Sequence, residues 1–246
     1  MSVFLTLRAA DRLRCSTIGP QMLDSMQLTG RVASHVLEVP ELQCTVHADA
    51  GAALRAMAAA ARAAGVELAV VSSFRDFERQ AAIWNGKFRG ERPLLDRHGQ
   101  QIDRTGLDEP ALVEAILCWS ALPGASRHHW GTDIDVADGA AVSAGYRPKL
   151  TAEEFAPRGV FAKLNDWLAA NMAHFGFFRP YSSDRGGVLP EPWHLSYAPL
   201  AGPALSTLTV AVLADAIGSS TLCGKESVLA RLPRIHARYV KAVDPP

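Results

Sequence analysis

Two short segments hold the residue types that chemistry would need: S126-R-H-H-W-G-T-D-I-D135 and E191-P-W-H194. Between them they offer two imidazoles, a carboxylate able to join them on a metal, and a carboxylate to spare. That set suits a zinc hydrolase, because two neutral imidazoles and one carboxylate leave the ion net positive with a position open for water. His128 and Asp135 stand seven positions apart with Gly131 between, so they meet only if a loop curls back into the strand that carries Asp135. Glu191 and His194 would face opposite ways in an ideal strand. Pro192 keeps Glu191 ahead of the ladder, so both can reach one ion. Glu191, left uncoordinated, could take the water proton and return it to a leaving amine. A cation opposite the metal would stabilise an oxyanion or hold a substrate carboxylate, and Arg75 is the candidate.

The elements that must position these groups can be read outward from them. Val66 to Ser73 is a short β-branched run, expected to be a buried strand, and it delivers a helix with Phe77, Ala81 and Trp84 on one face. The strand-to-helix junction falls near Arg75, which could otherwise pair with Asp76 or Glu78 on a solvated helix start. Upstream, Asp49 is placed to cap an alanine-rich helix ending at Gly65 and burying Leu54, Met57, Ala61 and Ala64. A strand-like stretch from Val32 to Val39 stops at Pro40. Residues 86–106 read as a polar loop flanking the substrate, followed by a helix from Pro110. A helix spans about 160–174, and Phe177 and Phe178 return the chain to the core. Beyond 201 two helices, split by Gly218 and stopped by Pro233, carry no recognisable chemistry.

At 246 residues and 48% hydrophobic, the chain suits one well-buried domain with decorations. Zero formal charge gives no electrostatic case for nucleic acid or an acidic membrane. Cys15, Cys44, Cys118 and Cys223 form no CxxC pair, which argues against a structural zinc site and reads as buried thiols in a reducing compartment. The first residues do not make a secretory signal, and no run reaches the roughly 18 apolar residues of a membrane span. The chain as written reads as cytoplasmic, or periplasmic if its true start lies upstream.

The two segments resemble the zinc D-alanyl-D-alanine carboxypeptidases and dipeptidases typified by VanY and VanX, in the fold group shared with hedgehog and lysostaphin-type domains. That family's pattern is SxHxxGxAxD followed by ExWH, with an upstream serine-x-arginine near a glutamine. Here it reads Ser126, His128, Gly131 and Asp135, then Glu191, Trp193 and His194, with Ser73, Arg75 and Gln80 upstream. The match spans roughly residues 50 to 198.

The resemblance implies zinc on His128, Asp135 and His194, Glu191 as general base, and Arg75 steadying substrate or transition state. His129, six residues before Asp135, misses the family spacing. Ser73, Gln80, Ser126 and Trp130 are candidate substrate contacts, with core packing an equal reading for Trp130 and Trp193. Asp133 stands where the pattern has alanine; it would orient His128 as a hydrogen-bond acceptor, unless it is itself a ligand. The implied fold is α+β: a small, mostly antiparallel central sheet flanked by helices, with a helical C-terminal appendage. The expected division is a lead-in over 1–48, a zinc peptidase domain over 49–200, and the appendage over 201–246. The implied reaction removes the C-terminal residue of a peptidoglycan-derived peptide through a metal-activated water, with no protein partner. The same set of residues would serve a D,D-dipeptidase, an L,D-carboxypeptidase, a cell-wall endopeptidase or a non-catalytic zinc-stabilised binding module.

Overall fold

The computed structural model describes residues 22–246. Cys15 and the start of the expected lead-in lie outside them. A one-turn helix α1 (Ser25–Leu28), with a reciprocal Asp24–Gln27 capping box, precedes strand β1 (Val36–Val39). Proline at 40 ends β1 as expected, but the chain turns through Gln43 in the left-handed region and returns as β2 (Cys44–His47), making an antiparallel hairpin. Helix α2 (Ala48–Ala63) follows directly. Its cap is His47, whose Nδ1 accepts from the Asp49 backbone N–H at 3.3 Å; Asp49 lies inside the first turn, where its charge suits the helix dipole. Leu54, Met57 and Ala61 are buried as expected, whereas Ala64 is exposed where the helix lifts off at its C-cap.

Strand β3 (Leu68–Ser72) is half-buried, not buried, because it forms one edge of the main sheet. Asp76 caps α3 (Phe77–Arg89), which buries Phe77, Gln80, Ala81 and Trp84. The segment expected to be loop contains a minimal hairpin, β4 (Leu94–Leu95) with β5 (Gln101–Ile102), before α4 (Glu109–Leu117). Strand β6 (Asp133–Asp138) is central and buried throughout. Two short helices, α5 (Gly139–Ser143) and α6 (Ala152–Phe155), lead to α7 (Ala162–Asn171) and then β7 (Phe177–Phe178). The main sheet is completed by β8 (His194–Tyr197); its order is β3-β6-β8-β7, antiparallel at every pairing. The fold is thus α+β, a small antiparallel sheet flanked by helices.

The C-terminal region forms four α-helices where two helices were expected, α8 (Ala198–Thr207), α9 (Val210–Gly218), α10 (Lys225–Ala230) and α11 (Leu232–Ile235), and the last runs on into a π-helical turn over His236–Val240. Pro233 sits in the first turn of α11, where a missing N–H costs nothing, so it starts a helix and does not stop one. Two hydrophobic clusters divide the interior. One joins β6 and β8 through Ile134, Val136 and Leu195 to α2 and α7. The other joins α3 and α4 to the C-terminal helices, with Phe77, Trp84, Trp130, Leu213, Ile217 and Ile235 at its centre. Among the described residues no single helix is long and apolar enough to cross a membrane, and Cys44, Cys118 and Cys223 are free.

Candidate metal centre and cleft

Register brings the site together. On β6 and β8, Asp135 pairs directly with His194, and across the other edge of β6 it pairs with Ser72. His128 reaches the same point from a 3-10 turn (Arg127–Trp130), which Gly131 ends at φ +68°. That glycine is required: an added Cβ would lie 2.4 Å from Val36 Cγ1 and 2.8 Å from the His47 backbone nitrogen.

A hydrogen bond at one ring nitrogen of each histidine turns the other nitrogen toward Asp135. His128 Nδ1 lies 2.9 Å from the Ser73 carbonyl, which can only accept, so Nε2 is left free and points at Asp135 Oδ2 at 3.4 Å. His194 Nε2 donates to Asp133 Oδ1 at 2.9 Å, leaving Nδ1 3.2 Å from Asp135 Oδ1 and 3.4 Å from Glu191 Oε2. The ligand atoms of His128, Asp135 and His194 all lie within 4.8 Å of one another. Asp135 Oδ1 is buried with no hydrogen-bond partner, and an acceptor left bare in this way fits a cation between the two imidazoles. Two nitrogens and one oxygen could hold a metal ion, and they are the donor types that three-ligand zinc sites use.

His129 takes no part. Its Nδ1 donates to the Arg75 carbonyl at 2.5 Å and its Nε2 accepts from the Gly124 N–H at 3.1 Å. Burial pushes its pKa down to about 3, against the hydrogen bond to Arg75, so it is a neutral structural ring. Asp133 is in the core of the site, but it orients His194 and not His128. The reason is register: Asp133 pairs with Ser196, so it is the diagonal cross-strand neighbour of His194, while His128 leans on the Ser73 carbonyl instead. Asp133 also accepts from Arg127 Nε at 2.8 Å and Thr132 Oγ1 at 2.5 Å. Burial opposes its charge, yet Arg127 and His194 outweigh this and hold its carboxyl far below the usual range.

Arg75 lines the cleft, its guanidinium fixed by Gln80 Oε1 at 2.7 Å and Ser72 Oγ at 3.1 Å. Gln80 is fully buried and donates onward to the Ala121 carbonyl at 2.6 Å, so it stands behind Arg75 and does not face the cleft. Ser73 is also displaced from its expected role: its Oγ accepts from the Thr45 N–H at 3.1 Å, and only its carbonyl serves the site. Trp130 is fully buried, with Nε1 donating to the Leu28 carbonyl at 3.2 Å, and belongs to the core. Ser126 and Trp193 do reach the cleft.

The cleft encloses about 290 Å³ over the ligand cluster, and Glu191 enters it just ahead of β8. Among the walls that sequence reasoning missed are Lys87, Trp119, Arg127 and Tyr181. Lys87 could have been found, since it falls seven residues beyond Gln80 and so on the same face of α3. Burial lowers its pKa, assisted by Arg92 and opposed by Glu191. Tyr181 comes from a loop without periodicity; burial pushes its phenol up to about 12, so it stays neutral.

Against known proteins, the model of the VanY family, described as D-alanyl-D-alanine carboxypeptidase, matches residues 43–200. An uncharacterised protein of Haemophilus influenzae is 33% identical over 127 residues, which are 51% of this chain and 95% of that protein. A D-alanyl-D-alanine carboxypeptidase of Enterococcus faecalis is 28% identical over 141 residues, 56% of this chain and 42% of the relative. Among solved structures, VanYB in complex with D-alanine-D-alanine covers 78% of this chain and 87% of its own, at 23% identity and a TM-score of 0.48. With the family model spanning well over half of the sequence, the chain belongs to the VanY family of D-alanyl-D-alanine carboxypeptidases.

Proposed function

We propose that the protein is a zinc-dependent metallopeptidase that removes the C-terminal D-alanine from peptidoglycan-derived peptides. The observation that carries this reading is the meeting of His128, Asp135 and His194 at the floor of a cleft that also receives Glu191 and Arg75. Zinc held by those three side chains would supply a Lewis acid that brings the pKa of a water toward neutrality. Glu191, outside the ligand set and 3.4 Å from His194 Nδ1, takes the proton of the attacking water and returns it to the departing amine. Arg75, locked by Gln80 and Ser72, offsets negative charge on the scissile carbonyl oxygen without having to reorganise. Lys87 puts a second cation in the same cleft; burial strips its ammonium of water, which a terminal carboxylate of the peptide would replace.

The test is a panel of D-Ala-D-Ala, tripeptide, tetrapeptide and pentapeptide substrates with mass readout, run with and without chelator. Release of one terminal D-alanine, lost on chelation and restored by zinc, is expected. Glu191→Gln should lower kcat by about 10²–10⁴-fold, the range of a general base. Undiminished release by that variant, or none by the wild type on any member, refutes the reading.

A further inference from the structure

The residues beside the cleft are held in place by the far end of the chain. Tyr181 and Glu191 bound a loop whose ends meet through the Glu191 N–H and the Tyr181 carbonyl at 2.9 Å. Its inner side supplies Tyr181, Val188 and Glu191 to the cleft, with the Tyr181 ring edge-on to His194 at 5.1 Å. Its outer side is gripped by Asp244. One carboxylate oxygen accepts from Ser182 Oγ at 2.9 Å and the Ser183 N–H at 2.8 Å; the other accepts from Ser183 Oγ at 2.7 Å and Arg185 Nη1 at 3.2 Å. The Asp244 N–H donates to the Pro180 carbonyl at 2.9 Å. Arg238 Nε donates to the Gly186 carbonyl at 2.5 Å, and the backbones touch so closely that a Cβ on Gly187 would lie 2.1 Å from the Arg238 carbonyl oxygen. The grip is itself anchored: Arg238 Nη1 and Tyr239 Oη both donate to Glu114 Oε2 of α4, at 3.1 and 2.6 Å.

We propose that Asp244, backed by Arg238, is a positioning residue that fixes the loop presenting Tyr181 and Glu191 to the cleft. Neither Asp244 nor Arg238 bonds to His128, Asp135 or His194, so the clasp acts on alignment and not on coordination. Alignment is where rate is sensitive: a shift of about 1 Å in a reacting group costs on the order of 10²-fold. The proposal rests on the peptidase reading above.

Full-length Asp244→Ala and Gly187→Ala attack the clasp from its two sides, and Asp244→Asn keeps one acceptor oxygen. Each is measured for zinc content, for tryptic cleavage after Arg185 in the exposed part of the loop, and for kcat and KM on a peptide that the wild type cleaves. Zinc content should match the wild type, cleavage after Arg185 should accelerate, and kcat should fall about tenfold or more, KM changing by less than about threefold. Asp244→Asn should lie between Asp244→Ala and the wild type. A purely structural tail would speed proteolysis and leave kcat within about twofold, and that result overturns the proposal, as does a kcat loss matched by zinc loss. An inactive wild type sinks the peptidase reading and this one together; an active wild type with unaffected variants sinks the clasp alone.

Discussion

Replacing Asp133 by alanine, the residue at that position in the family pattern, should produce two separable losses. The first is in metal affinity. Asp133 Oδ1 receives the Nε2–H of His194 at 2.9 Å, and removing such a partner of a ligating histidine typically costs 10–100-fold, or about 1.4–2.8 kcal/mol. The second is in folding. Arg127 is only 4% exposed, its Nε is bonded to Asp133, its Nη2 to Ser196, and its Nη1 already has no acceptor. Taking Asp133 away strands that charge, and breaking a buried pair from one side costs about 3–5 kcal/mol. The folding loss should therefore exceed the binding loss. An Arg127→Met change made together with Asp133→Ala removes the stranded charge. It should recover most of the stability, because an apolar replacement of a whole buried pair is often neutral, while zinc affinity stays about 10–100-fold down. Urea unfolding of the chelated protein at all four corners of the cycle measures one loss, and competition with a chromophoric chelator the other. A double variant as unstable as Asp133→Ala would refute the stranded-charge argument. Zinc affinity of Asp133→Ala within about twofold of wild type would refute the orienting role.

Two other outcomes follow from the same geometry. Burial disfavours the His194 imidazolium, but the hydrogen bond to Asp133 and the nearby Asp135 and Glu191 carboxylates outweigh it and raise the pKa well above 6.5 in the metal-free protein. Zinc bound at Nδ1 would displace the proton there, so calorimetry at pH 7 in buffers of different ionisation enthalpy should show about one proton released per zinc, and none would contradict it. Because the folded-state value is the higher one, this stabilisation of the metal-free protein is complete below the unfolded value of about 6.5 and fades as pH rises through the folded value. Gly131→Ala should destabilise by more than about 2 kcal/mol in urea, from the left-handed φ of +68° and the contact with Val36; a loss below about 1 kcal/mol would show that the turn relaxes.

The spacing of His128, Asp135, Glu191 and His194 made their convergence legible, and Pro192 correctly placed Glu191 ahead of the strand. What sequence could not convey was which face is covered. Strand β3 has the apolar run of a central strand yet lies at the edge, and β6 alternates acid with aliphatic yet is buried on both faces, since its acidic face is the site itself. The hairpin of β4 and β5 has two-residue strands in a polar stretch, too short for any period to register. Ser73 belongs to the upstream motif and Trp130 lies within the first segment, but their side chains point to β2 and to the core, directions that depend on tertiary packing. The C-terminal helices were legible as helices, while the hold of the segment after them on the loop of Glu191 depends on Asp244 pairings across some 60 residues of sequence.

The position of the cleft between the two hydrophobic clusters explains why so many supporting residues lie outside the motifs. Asp135 and His194 ride on β6 and β8, whose apolar residues Ile134, Val136 and Leu195 belong to one cluster. Gln80 and Lys87 ride on α3, whose apolar face belongs to the other, and Arg75 is bonded to both sides through Gln80 on α3 and Ser72 on β3. His128 spans the seam: Trp130, two residues on, is planted in the helical cluster, and Gly131 then turns the chain into β6. Close-packed interiors deform little, so the distance between cation and ligand cluster is set by how the clusters abut. The tryptophans beside the two histidines in sequence, Trp130 in one cluster and Trp193 in the other, therefore fix the site through the frame behind it.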